Sequence, residues 1–298
     1  MKNLLFLCLV VVGTVCHAQL SQETVDAMTW GAKTKVTFRV VDSQGTPVSN
    51  ALFCVGWSYD YTNRSKERTA KTDENGLFVL EVKSRGTFTY FVEKDGYYRS
   101  QGKHSFYVRG ETRVKDGHWE PWNPTVKIVL KEKRKSVPLI AKGGKHHIPI
   151  SETPVGFDFS RGEIIAPLEV GRAADILFQY SFQTTNSTGH CNLTLSAANP
   201  DDGMIILRTD EWSALKTVYE APIDGYLSSV SFERDWTGRT FAKREELDAE
   251  AYIVFRCRTK RDEEGKLITA HYGIIHGPLD FGQYRKDDKE GVMIFRST

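Results

Sequence analysis

The stretch "VVDSQGTPVSNALFCV", residues 40–55, decides the fold class. A polar segment holding Asp42, Gly45 and Pro47 stands between two apolar runs. Asp42 and Gly45 suit a tight turn, and Pro47 pre-sets the backbone as the chain re-enters an extended run. The same pattern repeats outward. Upstream, Val36, Phe38 and Val40 alternate with Thr37 and Arg39; downstream, Ala51, Phe53, Val55 and Trp57 alternate with Leu52, Cys54 and Gly56. Phe78, Leu80 and Val82 follow, then Phe88, Tyr90 and Val92, and last Val126, Ile128 and Leu130. A period of two places one face of each run on a core. "TDENG" and "EKDG" supply further turns between the runs. Many short strands with few helical stretches predict an all-β, antiparallel sandwich.

The rest of the chain divides around this pattern. Residues 19–34 are polar and aperiodic and read as a loose N-terminal lead. The first domain spans 35–131. "KEKRKSVPLIAKGGK", Lys131 to Lys145, combines a charge run, a proline and two glycines, so 132–145 reads as a linker. A second β-rich domain, 146–298, is expected from "ADILFQYSF", "NLTLSA", "GMIILR", "YLSSVSFE" and "AYIVFRCRTK". "RTKRDEEGKLITAHYGII" reads as a hairpin turning at "DEEG". Thr240 to Ala251 reads as a short helix or a polar loop. The expectation is two β-sandwich-like domains.

The first eighteen residues read as a secretory leader. Lys2 precedes the apolar run "LLFLCLVVV", and Cys16 and Ala18 are small residues at the cleavage-specifying places. The run is too short to span a bilayer. Cys16 raises lipid anchoring, but Val15 stands where a small residue is required, so cleavage after Ala18 is the preferred reading. An exported protein of the periplasm or cell surface follows, with no transmembrane segment in the mature chain. The 298 residues carry a formal net charge of only +2, which gives no ground for nucleic acid as a partner.

"VTFRVVDSQGTPVSNALFCV", then "KTDENGLFVLEV" and "FTYFVEKDGYY", resemble the carboxypeptidase regulatory-like domain. The residues that carry the likeness are Asp42, Gly45, Pro47, Ala51, Thr72, Asp73, Gly76 and Phe78. The resemblance covers roughly 35–131. It implies a transthyretin-like, immunoglobulin-like sandwich that accompanies a catalytic or surface-binding partner and has no active site itself. Residues 117–137 and 156–178 resemble uncharacterised exported bacterial proteins, a likeness that implies no activity.

Aromatic residues are the leading candidates for a site. Trp119 and Trp122 lie in "HWEPWNP", with Tyr97, Tyr98, Phe106 and Tyr107 in the same region. Exposed on loops, they stack on sugar rings or grip a peptide; buried, they close the sandwich edge. The candidate ligand-binding residues are therefore Trp119, Trp122, Tyr97 and Tyr107. His146, His147 and Glu152, and His271 with His276, contain the histidines a metal site needs, but neither spacing converges on an extended strand. Asp201–Asp202 and Glu245–Glu246 are adjacent in polar turns, not paired across a cleft as glycoside hydrolysis requires. No nucleophile elbow or phosphate loop is present. Cys54, Cys191 and Cys257 remain after the leader; Cys191 and Cys257 can pair, or all three can be buried thiols. Asn63, Asn186 and Asn192 fit the glycosylation sequon.

The functional expectation is a non-catalytic module without a cofactor or metal. It recognises glycan, cell-wall polymer or another exported protein. The alternative is a hydrolase acting on polysaccharide or peptide from the second domain.

Overall fold

The computed structural model describes residues 20–62, 64–108, 112–135, 139–150, 153–165, 174–238, 240–282 and 289–298. The leader residues, including Lys2, Cys16 and Ala18, lie outside them, as do Asn63 and Glu152. The chain forms two compact units, one running to Lys133 and including Trp212–Ala214, the other made of Arg134–Glu211 and Leu215–Thr298. No described helix is long and apolar enough to cross a membrane. The fold is all-β and sandwich-like in each unit.

The first unit begins with helix α1 (Gln22–Trp30) and continues through β1 (Ala32–Val41), β2 (Leu52–Ser58), β3 (Ser65–Lys71), β4 (Leu77–Ser84) and β5 (Thr87–Glu93). β6 (Ser100–Ser105), β7 (Arg113–Lys115), β8 (His118–Glu120) and β9 (Thr125–Val129) complete it. One sheet runs β4-β1-β8-β7, with β9 also pairing β1; the other runs β3-β2-β5-β6. Their inner faces enclose Val36, Phe38, Phe53, Leu80, Phe88 and Trp119, all buried.

The turns form as their residues dictate. The Asp42 carboxylate accepts from the backbone N–H groups of Gln44 and Thr46 at 2.9 and 2.8 Å. Asp73 does the same for Asn75 and Leu77 at 2.9 and 2.7 Å. Gly76 has φ +70, and an added Cβ would lie 2.4 Å from the Val40 carbonyl oxygen, so no other residue fits there. Thr72 ties the two turns together, donating to the Val48 carbonyl at 2.8 Å and accepting from Ala51 N–H at 2.9 Å. Phe78 enters the core.

The N-terminal lead is not loose. Ser21 caps α1 by accepting from Thr24 N–H at 3.2 Å, and Gly31 ends it at φ +76. Thr24 and Ala27 are buried, and the Thr24 hydroxyl accepts from Val114 N–H at 2.9 Å. Only Thr24 and Ala27 of its nine residues are buried, too few for a visible periodicity.

The second unit holds β10 (Lys142–Pro149), β11 (Val155–Asp158), β12 (Glu163–Ile165), β13 (Ile176–Thr184), β14 (Thr188–Ala197) and β15 (Gly203–Arg208). β16 (Ser229–Thr237), β17 (Thr240–Glu245), β18 (Ala251–Arg261), β19 (Leu267–Gly282) and β20 (Glu290–Ser297) follow. A six-stranded sheet, β12-β11-β13-β14-β16-β17, packs on a five-stranded one, β10-β20-β19-β18-β15. The expected linker is extended at its end, because Lys142–Lys145 already pair with β20. Thr240–Glu245 is neither helix nor loop but an edge strand on β16. The β18–β19 hairpin turns where expected, with the Asp262 carboxylate accepting from Glu264 and Lys266 N–H.

A bulge in β18 organises this unit. The register shifts between Cys257 and Lys260, and Arg258 sits at φ +53. The N–H groups of Arg258 and Thr259 turn to the buried Asp202 carboxylate at 3.2 and 2.9 Å. "PDDG" is thus a turn that also caps the bulge. The Arg258 guanidinium binds Asp175 at 2.7 Å and Asp158 at 3.2 Å. Burial pushes the Asp158 carboxyl up, but hydrogen bonds from Ser160 and Arg161 N–H and the Arg258 charge outweigh it and hold the group below its ordinary value.

His146 adds a pH dependence. It is half-buried between Phe157 and Phe295, with ring centroids 5.0 and 5.2 Å away, and its Nε2 has no partner. Burial lowers its pKa. Below about pH 6.5 the unfolded chain binds a proton that the folded one refuses, so stability is lost as pH falls through the folded value. Thermal unfolding from pH 7 to pH 5 is expected to show a smaller loss of midpoint in His146→Leu than in the parent protein. Equal losses contradict this origin.

Candidate functional site

The described surface of the first unit carries two clefts on the outward face of the β3-β2-β5-β6 sheet. The first has a volume of about 520 Å3. Its floor is Gly56, in the middle of β2. An added Cβ there would meet only the Thr89 hydroxyl at 3.6 Å and the Lys66 carbonyl at 3.7 Å, ordinary contacts. The absent side chain, not a backbone contortion, makes the hollow. In cross-strand register Gly56 lies between Glu67 on β3 and Thr89 on β5, and Ser58 faces Ser65. Hydroxyls of Ser58, Ser65, Thr87 and Thr89 therefore surround the floor, with Tyr107 as an aromatic wall.

Arg85 builds the rim. Its Nε donates to the Met28 carbonyl at the end of α1 at 2.6 Å, and its Nη1 reaches the Asp60 carbonyl at 3.5 Å. Tyr107 Oη donates to the Arg85 carbonyl. One side chain thus ties the end of α1 and the β2–β3 loop to the cleft. On those two segments Trp30 and Tyr61 meet edge to face at 4.9 Å. Both are exposed, 55% and 59%. Large aromatics normally bury, so an exposed, mutually braced pair is the feature that needs a function. Lys66 lies over the Tyr59 ring at 4.6 Å and extends the rim.

The second cleft, of about 480 Å3, lies at the other end of β2 and is lined by Leu52, Lys71, Glu93, Tyr97, Arg99 and Lys133 among others.

The sequence-derived candidates scatter. Tyr107 walls the first cleft and Tyr97 lines the second. Trp122 is 39% exposed beside His118, outside both. Trp119 is not a ligand contact. It is fully buried, its indole N–H donates to the Ser84 carbonyl at 2.9 Å, and it packs against Phe106 and Tyr107. It sits in β8, where the Asp116–Gly117 turn folds it inward against Val114's strand. The reading of the sequence missed Gly56, Lys66, Arg85, Trp30 and Tyr61.

The other groups stay apart. Cys191 and Cys257 do not pair: both are free, buried thiols in the second core, as Cys54 is in the first unit. Burial pushes all three thiols up and makes them poor nucleophiles. Asp201 pairs with Arg261, while its neighbour Asp202 is buried at the bulge. Glu245 pairs with Lys243, and Glu246 with Arg234 and Arg244. Neither acidic pair lines either of the two clefts described. His147 points to Glu290 at 3.4 Å while His146 turns into the core. His271 and His276 lie opposite Cys257 and Tyr252. Among the described residues no three His, Cys, Asp or Glu side chains are gathered as metal ligands.

No family model matches the chain. No curated protein matches it either. Among solved structures, a 3-chlorocatechol 1,2-dioxygenase from Rhodococcus opacus is 16% identical over 35% of this chain and 61% of its own, with a TM-score of 0.28. A catechol 1,2-dioxygenase from Acinetobacter radioresistens is 14% identical over 36% and 54%, also at 0.28. The chain thus spans less than two thirds of these dioxygenases. A DUF3823 family protein from Parabacteroides merdae is 11% identical over 76% of this chain and 91% of its own, with a TM-score of 0.19. Likenesses this low carry no weight for ligand or chemistry.

Proposed function

We propose that the protein is a non-catalytic, exported binding module of the periplasm or cell surface that recognises glycan through its first unit. The carboxypeptidase regulatory-like resemblance of that unit agrees with a scaffold role. The observation that carries the reading is the exposed Trp30–Tyr61 pair, on segments that Arg85 ties to a glycine-floored, hydroxyl-lined cleft. A sugar ring offers an apolar face for an aromatic platform and hydroxyls for short polar side chains. The sheet supplies the hydroxyls on rigid backbone, and Arg85 fixes the segments that carry the aromatic platform, so little order has to be created on binding.

The test is calorimetric titration of residues 19–298 with a panel of soluble glycans and peptidoglycan fragments. Trp30→Ala with Tyr61→Ala is expected to weaken any binding by about tenfold or more, in line with the loss of stacked aromatic contacts. Both side chains are exposed, so the fold is expected to survive. Unchanged affinity in the double variant places the ligand elsewhere.

A further inference from the structure

The two clefts share one sheet face and one strand. Leu52, Cys54, Gly56 and Ser58 alternate outward along β2. Gly56 floors the first cleft and Leu52 lines the second. Four residues of strand separate them, about 13 Å. Between them lies the register row of Thr69, Cys54 and Phe91. Phe91 carries the Arg99 guanidinium over its ring at 3.9 Å. The row between the clefts thus presents an aromatic ring with a cation upon it, a surface a sugar carboxylate can cross while paired to Arg99.

The charges along this path are unequal. The first cleft has Lys66 and Arg85 against Glu67. The second has Lys71, Lys94, Arg99 and Lys133 against Glu93 and Asp95. Six cations face three carboxylates, on a protein whose whole net charge is only +2. One of the carboxylates, Glu93, is engaged by Arg99 at 3.4 Å. A concentrated local excess of one sign attracts a ligand of the other, and it does so more strongly at low salt.

Resting on the glycan reading of the first cleft, we propose that the ligand is an acidic polysaccharide lying along β2 and occupying both clefts at once. The hydroxyls and aromatic rim of the first cleft take sugar rings. The cations of both clefts take carboxylate groups spaced along the chain. Length matters because a short fragment fills one cleft, while a longer one gains the second at little further entropic cost.

Polygalacturonate and its fully methyl-esterified form separate the two claims, since they share a backbone and differ in charge. The acidic polymer is expected to bind about tenfold tighter or more at low salt, and to lose that advantage as salt rises. Hexagalacturonate is expected to exceed digalacturonate by a further factor of about ten. Lys71→Gln with Lys133→Gln, both exposed, is expected to weaken the hexamer by about tenfold and to remove its advantage over the dimer. Equal binding of the acidic and esterified polymers overturns the acidic ligand and leaves the glycan reading standing. Equal binding of dimer and hexamer overturns the two-cleft path. Binding of neither polymer, together with silence from the whole glycan panel, overturns the glycan reading itself. A single-stranded oligonucleotide bound as tightly as the hexamer also overturns the proposal, because charge alone would then account for it.

Discussion

Trp119→Ala is expected to cost the first unit about 3–5 kcal/mol, the range for truncating a fully buried large aromatic. That is a large share of a domain's whole stability, typically about 5–15 kcal/mol. The side chain is completely buried. Its ring fills the space that Gly86 leaves, where an added Cβ would lie 3.0 Å from the indole. Its N–H donates to the Ser84 carbonyl, and that oxygen loses its donor when the ring goes. Urea unfolding followed by circular dichroism is the measurement, with Trp119→Phe as the companion. The phenyl ring restores much of the volume but not the hydrogen bond, so it is expected to recover part of the loss. A midpoint for Trp119→Ala within error of the parent protein contradicts the assignment of Trp119 to the core. Because of this expected loss, a ligand-binding defect in any Trp119 variant reports unfolding before it reports contact.

The second large effect is at Arg258. Its side chain answers two carboxylates, Asp175 at 3% side-chain exposure and Asp158 at 12%. Arg258→Met keeps length and apolar stem but takes the guanidinium from Asp175 and leaves Asp158 only the longer pair with Arg161 at 3.9 Å. Breaking a buried pair from one side costs about 3–5 kcal/mol; Arg258 itself is 34% exposed, so solvent screening puts the expected loss at or below the lower end, about 2–3 kcal/mol. Asp175→Asn in the same chain removes the more deeply buried charge and is expected to return part of that stability. The coupling of the double change, read from thermal or urea unfolding of the second unit, is the decisive quantity. Additive losses mean that the guanidinium and the Asp175 carboxylate do not act on one another. Arg258 reaches this position only through the bulge in β18 and the Asp202 carboxylate that accepts its N–H.

What the sequence reveals follows from how each element buries. β1, β2, β4, β5, β13, β14 and β18 present core side chains at every second place, or are buried on both faces, and their apolar patterns show it. β3 reads "SKERTAK" and has almost nothing to bury, because it is an edge strand with neither face covered. β17 is an edge of the same kind. Such strands are held by backbone pairing with the strand just before them, β2 for β3 and β16 for β17, which their own composition does not announce. α1 lacks an apolar stripe, yet Ser21 and Gly31 at its two ends were visible capping signals. The Asp116–Gly117 pair between Val114 and Trp119 was likewise a hairpin signal that placed Trp119 in a strand.

The site was less legible than the fold for a physical reason. Its floor is a missing side chain, and its platform joins two segments, α1 and the β2–β3 loop, some thirty residues apart. Gly56 inside an otherwise regular strand was the one local hint, since a glycine there often marks the close approach of something else. Trp30 and Tyr61 carry no pattern at all until Arg85 draws their segments together.

The most direct test of the central claim is Gly56→Val. The position has ordinary backbone geometry and room for a Cβ, and it faces away from the core. The variant is therefore expected to unfold at the same urea concentration as the parent protein while its branched side chain stands on the cleft floor. Titration with the tightest-binding glycan of the panel is expected to show affinity lost by about tenfold or more. A folded Gly56→Val protein that binds as well as the parent contradicts the claim that this cleft is where the protein meets its ligand.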